Sequence, residues 1–142
     1  RYVPATYSGS ETLAADSIVI WSLNDDDGVT VTTTTTSSDT AVAGIIVTQA
    51  LTPDVDGNTA IQDAGRDNWT WLQTYGKSQV NFAGAVSYTG SAFGTSTTAG
   101  EAAMYGSDST NANTPRVTGN AGFAYDTATA GDDDVEVFLR LD

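Results

Sequence analysis

Leu-Ala-Ala-Asp-Ser-Ile-Val-Ile-Trp at residues 13–21 is followed by Asp-Thr-Ala-Val-Ala-Gly-Ile-Ile-Val at residues 39–47 and by Trp-Thr-Trp-Leu-Gln-Thr at residues 69–74. The first two stretches contain short apolar runs of the kind found in buried strands, and the third alternates along its length. Polar loops with Gly, Asp and Asn separate them, and these residues favour turns. The pattern therefore predicts short strands and no helix of ordinary length.

The second half of the chain repeats this pattern. Ala-Val-Ser-Tyr-Thr-Gly-Ser-Ala-Phe at residues 85–93 leads to Pro-Arg-Val-Thr-Gly-Asn-Ala-Gly-Phe-Ala at residues 115–124, and a clean alternation follows at residues 135–141. Each half thus has an entry strand, a segment with Gly among apolar neighbours and a final strand. We predict an all-β fold, a compact single-domain β-barrel or β-sandwich with two weakly similar halves, 13–74 and 85–141.

The first twelve residues differ from the rest of the chain in their sequence pattern. Tyr2, Pro4 and Tyr7 lie among small polar residues without a helical period. We predict an extended N-terminal arm over residues 1–12 that docks on a neighbouring subunit, and a single β domain over residues 13–142. A first edge strand is the alternative for the arm.

Two hairpins are expected. The apolar run at residues 17–22 is joined to the alternating residues 29–32 by Asn-Asp-Asp-Asp-Gly, and Asp-Gly is a strong turn signal. The strand at residues 69–74 is expected to turn at Tyr-Gly-Lys-Ser and to pair with residues 79–82.

Composition excludes several classes of protein. The chain has no Cys and no His, so it lacks thiolate ligands, disulfides and the usual general base of a catalytic triad. Eighteen acidic residues against five basic ones give a formal net charge of −13. Such a chain repels phosphate backbones and anionic lipid, so neither nucleic acid nor membrane is an expected partner.

Acidic clusters are the candidates for a metal site or for catalysis. Asp54, Asp56 and the neighbouring Asp63 surround Gly57, but the Gly position and the missing Glu do not fit an EF-hand loop. The Asp runs at residues 25–27 and 132–134 are typical of solvated turns. No carboxylate pair stands out as catalytic, so we predict a non-enzyme with no metal and no cofactor.

Aromatic residues are the remaining candidates. Trp69, Trp71, Tyr75 and Tyr88 form either part of the core or an interface, or else a platform for carbohydrate. If Trp71 lies in the core, its replacement by Ala should cost about 3–5 kcal/mol.

The chain resembles the small decoration, or cement, proteins on the capsids of tailed phages. The resemblance rests on Leu-Ala-Ala-Asp-Ser-Ile-Val at 13–19, Val-Ala-Gly-Ile-Ile at 42–46 and Trp-Leu-Gln-Thr-Tyr-Gly-Lys-Ser-Gln-Val at 71–80. It extends to the segments at 90–100, 119–124 and 135–141.

This resemblance implies a structural virion protein bound to the outer surface of a phage capsid, where it stabilises capsomer junctions. The implied partner is the major capsid protein, and a homotrimer is the favoured assembly. The expected subunit and capsid interface is formed by Tyr2, Pro4, Tyr7, Pro53, Asp54, Asp56, Arg66 and Trp69. The alternatives are a subunit of an extracellular β-rich filament or pilus joined by strand addition, and a carbohydrate-binding β-sandwich.

Overall fold

The computed structural model describes residues 1–8, 13–24, 28–37, 39–47, 69–86, 89–104, 120–129 and 135–141. Within these ranges the chain forms ten strands and no helix, so the predicted all-β class is confirmed. The strands are β1 (Tyr2–Tyr7), β2 (Ile18–Trp21), β3 (Thr30–Thr32), β4 (Val42–Ile46), β5 (Trp69–Gln73), β6 (Tyr75–Val80), β7 (Ala92–Thr95), β8 (Ala102–Met104), β9 (Gly122–Ala124) and β10 (Val135–Arg140).

The first five strands form a closed barrel in the order β1-β3-β2-β4-β5. β1 closes it, because it pairs in parallel with β3 and antiparallel with β5. The remaining pairs are antiparallel, and they include the predicted hairpin of β2 and β3. The side chains that fill the barrel are those of Ala5, Tyr7, Leu13, Val19, Val31, Ala43, Ile46 and Leu72.

The last five strands form a second sheet in the order β6-β10-β9-β7-β8, in which all neighbours are antiparallel. The strand predicted for residues 135–141 is confirmed as β10. The hairpin predicted between residues 69–74 and 79–82 is wrong, because residues 75–78 belong to β6 and pair with β10. Small polar residues suggested a turn there, but pairing with a strand some sixty residues away decided the conformation.

The segment expected to be an arm contains a strand of the barrel. Tyr2–Tyr7 is β1, and it is hydrogen-bonded along both edges. The alternation in this segment places Ala5 and Tyr7 inside and Tyr2 and Pro4 outside. A strand with two partners inside its own barrel describes residues 2–7 better than an arm does.

The barrel and the second sheet have the same topology. Within each set of five, the first strand pairs with the fifth, the fifth with the fourth, the fourth with the second and the second with the third. The register agrees around the whole circuit. In the barrel, Ile45 lies opposite Gln73 on one side and Ile18 on the other. In the second sheet, Phe123 holds the equivalent position and lies opposite Phe138 and Ala92.

Hydrogen bonds outside the strands repeat in the same way. The amide of Ser22 donates to Thr30 and that of Ser96 to Glu101, at 2.9 and 3.0 Å. Asp16 donates to Ile46 as Gly90 donates to Ala124, at 2.7 Å in both cases. Asp16 and Gly90 also share a left-handed backbone, with φ of 68° and 81°. The two halves are therefore two versions of one supersecondary unit.

The halves differ where the first and third strands meet. In the barrel this contact is a parallel ladder, whereas in the second sheet it is the single parallel bridge of Phe82 and Ala102. Residues 16–18 of the barrel half occupy the gap, since Asn81 N donates to Asp16 O and Ile18 N donates to Gly100 O. The side chains of Ile18 and Ile45 are buried in the core of the second sheet. This insertion joins the two halves.

Candidate functional site

The outer face of the barrel carries one group of exposed aromatic side chains. Pro4 lies directly opposite Trp71 across β1 and β5, and Tyr2 lies opposite Gln73. Tyr2 and Trp71 are 58% and 52% exposed. Gln73 also points outward, but it is buried by the second sheet, where its amide Nε2 donates to the carbonyl oxygen of Tyr75 at 3.2 Å. The second sheet therefore covers the outer face of the barrel at Gln73, and the face is exposed at Tyr2 and Trp71.

The residues predicted for the interface fall into three groups. Tyr2 and Pro4 are exposed, so they are available to a partner. Tyr7 is only 2% exposed and fills the barrel, so its side chain does not form part of an outer surface. Trp69 begins β5, where its backbone pairs with Thr6. Pro53, Asp54, Asp56 and Arg66 lie outside the described residues.

Trp71 lies on the surface and not in the core. The alternation of β5 was predicted correctly, but the side that faces inward is that of Thr70 and Leu72. The cost of about 3–5 kcal/mol for removing a core tryptophan does not apply to a side chain that is half exposed. A partly exposed ring on a strand instead fits an interface or a ligand platform.

The second sheet carries a larger aromatic group, which we call the aromatic patch: Tyr75, Phe123, Tyr125 and Phe138. Phe138 is at its centre, stacked on Phe123 with ring centroids 5.4 Å apart and an angle of 13° between the planes. Tyr75 and Tyr125 meet Phe138 edge-on at 5.2 and 6.2 Å. These two tyrosines are 49% and 46% exposed. The four rings thus form one continuous amphipathic surface.

Charged side chains border this patch. Lys77 Nζ lies 5.4 Å from the centre of the Tyr125 ring and forms an ion pair with Glu136. The hydrogen bond to Glu136 raises the pKa of Lys77 above its usual value. A raised lysine pKa adds stability below the pKa of the unfolded chain, and that stability is lost as the pH rises through the folded value. The ion pair with Glu136 thus favours the charged form of Lys77.

Sequence reasoning missed three members of the patch, Phe123, Tyr125 and Phe138. One signal was available in β10, where Val135, Val137 and Leu139 face the core. Phe138 lies on the opposite side of that strand, between Glu136 and Arg140. A single apolar residue on the polar side of a strand is common, so Phe138 became informative only when the structure joined it to other rings in a patch.

The other candidate sites are less informative. Tyr88 and the acidic segments considered for calcium lie outside the described residues. Among the residues that are described, no group of three acidic side chains is gathered to hold a metal ion. A cleft of about 340 Å³ at one end of the barrel is lined mainly by apolar residues and contains no described carboxylate. Across the described ranges, the chain has no helix that is long and apolar enough to span a bilayer.

Comparison with known proteins shows a similarity of fold to a solved structure. No family model matches the chain, and neither does any curated protein. Among solved structures, the N base of the head fiber protein gp8.5 in bacteriophage phi29 is similar, with a TM-score of 0.59 and 13% sequence identity. The alignment covers 99% of this chain and 95% of that chain, so it includes both halves. The fold of this chain, barrel and second sheet together, is similar to the fold of a phage head fiber base.

Proposed function

We propose that this chain is a structural protein of a phage virion, bound to the outer surface of the capsid, where it stabilises capsomer junctions. The observation that carries the proposal is the similarity to the head fiber base over both halves of the chain. The proposed partner is the major capsid protein, and the proposed assembly is a homo-oligomer, with a trimer favoured. The proposed role is not enzymatic.

The surface of the molecule supports a role in assembly. Its exposed aromatic side chains lie on the strands of the two sheets or directly beside them, on the barrel at Tyr2 and Trp71 and on the second sheet at the aromatic patch. Aromatic anchors held on a rigid scaffold are typical of protein interfaces. The net charge of −13 keeps such a protein soluble ahead of assembly and away from the packaged genome.

The filament alternative requires a segment that is free to complete the sheet of a neighbour. Residues 2–7 were the candidate, and they already form hydrogen-bonded pairs with β3 and β5 of their own barrel. Donating them to a neighbour would break both of these ladders, which disfavours this route.

The carbohydrate alternative gains support from Trp71, whose ring is exposed beside Pro4. Stacking of a sugar on that ring would change its fluorescence. Saturable quenching by a glycan that is lost in Trp71→Ala would favour carbohydrate binding, and an unresponsive spectrum would count against it.

Cryo-electron microscopy of the native particles from which the chain is purified tests the main proposal. We expect density for the double sheet outside an icosahedral shell, in contact with the major capsid protein. A helical array would replace this proposal with the filament, and particles that lack the chain on their outer surface would refute it.

A further inference from the structure

The internal symmetry shows that one face of the fold is covered in the first half and open in the second. Ile18 and Ile45 lie opposite each other on the outside of the barrel, and both are buried by the second sheet. The equivalent pair is Ala92 and Phe123, which is only partly buried. Phe123 belongs to the aromatic patch.

The equivalence continues along the strands. Gln73 of the barrel is buried under the second sheet, and its counterpart is Phe138 at the centre of the patch. The patch thus occupies the position that, in the other half, forms the junction between two sheets. A surface of stacked rings at that position suits the same task, which is to hold another copy of such a sheet.

Within the described ranges, positive charge is concentrated at this patch. Three of the five basic residues lie in these ranges, and all three lie around Tyr75. Arg140 is opposite Tyr75 in the β6–β10 pair, Lys77 is two residues further along β6, and the carbonyl of Arg1 accepts a hydrogen bond from Thr74. The chain as a whole is strongly acidic, so these cations stand out from its net charge.

We propose that the aromatic patch binds a second copy of this chain in a head-to-tail contact. Because Lys77 is paired with Glu136, the excess positive charge at the patch comes from Arg1 and Arg140. A patch-to-patch contact would bring these like charges together, whereas a head-to-tail contact places them against the remainder of a strongly acidic neighbour. Such heterologous contacts close into rings or extend as filaments. The inference rests on the homo-oligomer of the proposed function and names the surface that forms it, but it does not depend on binding to a capsid.

The contact covers the patch and does not repeat the insertion found within the chain. In the barrel of a neighbouring copy, the first and third strands are joined by a parallel ladder. That barrel therefore has no gap that a segment equivalent to residues 16–18 could occupy. The neighbour therefore docks on the rings from outside. Tyr75 and Tyr125, which are about half exposed, supply most of the area that docking would bury.

The test is the oligomeric state of the full chain, measured by light scattering coupled to gel filtration over a range of concentrations. We expect the wild type to be an oligomer. The double variant Tyr75→Ser/Tyr125→Ser should weaken association at least about tenfold, which is the size of effect seen when a well-buried interface residue is truncated. Arg140→Glu should weaken it as well, because it reverses one of the three charges.

Leu23→Ser is the matched control, since Leu23 is an apolar residue of the barrel half that is 86% exposed and is not a member of the patch. It should leave association unchanged. If the tyrosine variant does not fold, as judged by circular dichroism, Arg140→Glu alone decides the outcome, because Arg140 is exposed.

A monomeric wild type, or an oligomer that survives both patch variants, would overturn the inference. The virion role is judged separately, by binding of the same variants to capsids. A monomer that still decorates capsids would refute both self-association through the patch and the proposed homo-oligomer, and it would leave the capsid-binding role standing.

Discussion

At the scale of single residues, two glycines show how closely the two halves agree. Gly44 in β4 and Gly122 in β9 hold equivalent positions. A Cβ on Gly44 would lie 2.8 Å from the carbonyl oxygen of Gln73, and a Cβ on Gly122 would overlap the carbonyl oxygen of the equivalent Phe138. Gly is required at both sites because a neighbouring strand backbone passes too close for a side chain.

Replacing these glycines tests the equivalence. Gly122→Ala and Gly44→Ala should each lower the free energy of unfolding by about 1–3 kcal/mol, with Gly122 at the upper end because its Cβ would approach the neighbouring backbone more closely. Urea denaturation measures the loss. Gly84→Ala is the control, since nothing lies within 4 Å of its Cβ, and it should stay within about 0.5 kcal/mol of the wild type. Equal stability of all three variants would contradict the close approach.

At the scale of elements, the second sheet depends on the barrel half. The chain just after its first strand forms one bridge to its third strand, between Phe82 and Ala102. Residues 16–18 supply the missing backbone partners at Asn81 and Gly100. Gly100 has φ of 78°, and a Cβ there would lie 3.0 Å from Leu13 Cδ2, so the two halves also touch closely at this point. The sheet is completed by a segment that belongs to the other half.

Ile18→Ala tests this dependence. Ile18 is 2% exposed and lies in the core of the second sheet although it belongs to β2. Its truncation leaves a cavity at the junction, so the free energy of unfolding should fall by about 2–5 kcal/mol. Leu23→Ala, at an exposed position of the same half, should change it by no more than about 0.5 kcal/mol. A loss below about 1 kcal/mol for Ile18→Ala would show that the side chain of Ile18 contributes little to the stability of the junction.

At the scale of the whole molecule, the shared core makes one folding unit from two sheets. The core of the second sheet contains Ile18 and Ile45 of the barrel half, so neither half can unfold without exposing the apolar surface of the other. We expect a single cooperative unfolding transition.

Two probes that report on different parts of the chain test this expectation. All three tryptophans, Trp21, Trp69 and Trp71, belong to strands of the barrel, so their fluorescence follows that half. Differential scanning calorimetry follows both halves. We expect the two methods to give the same Tm, with a calorimetric enthalpy equal to the van't Hoff enthalpy. Two resolved transitions would show that the halves are independent domains.

Local sequence patterns were enough to predict the class of fold and many of its strands. Apolar runs and clean alternation were sufficient for β2, β4, β5 and β10, because burial of one face imposes a period of two. The paired segments at residues 13–21 and 85–93 already indicated two similar halves. From composition alone, the lack of His and Cys argued against thiolate and triad chemistry, and the charge of −13 argued against nucleic acid and membrane as partners.

The buried face of each strand and the identity of its partners came from the tertiary structure. It placed Trp71 outside and Tyr7 inside, and it made residues 75–78 part of β6 where a turn was expected. It also brought Tyr75, Phe123, Tyr125 and Phe138 into one patch, although they span more than sixty residues. These outcomes depend on pairing between distant segments, and local alternation does not encode which segments will meet.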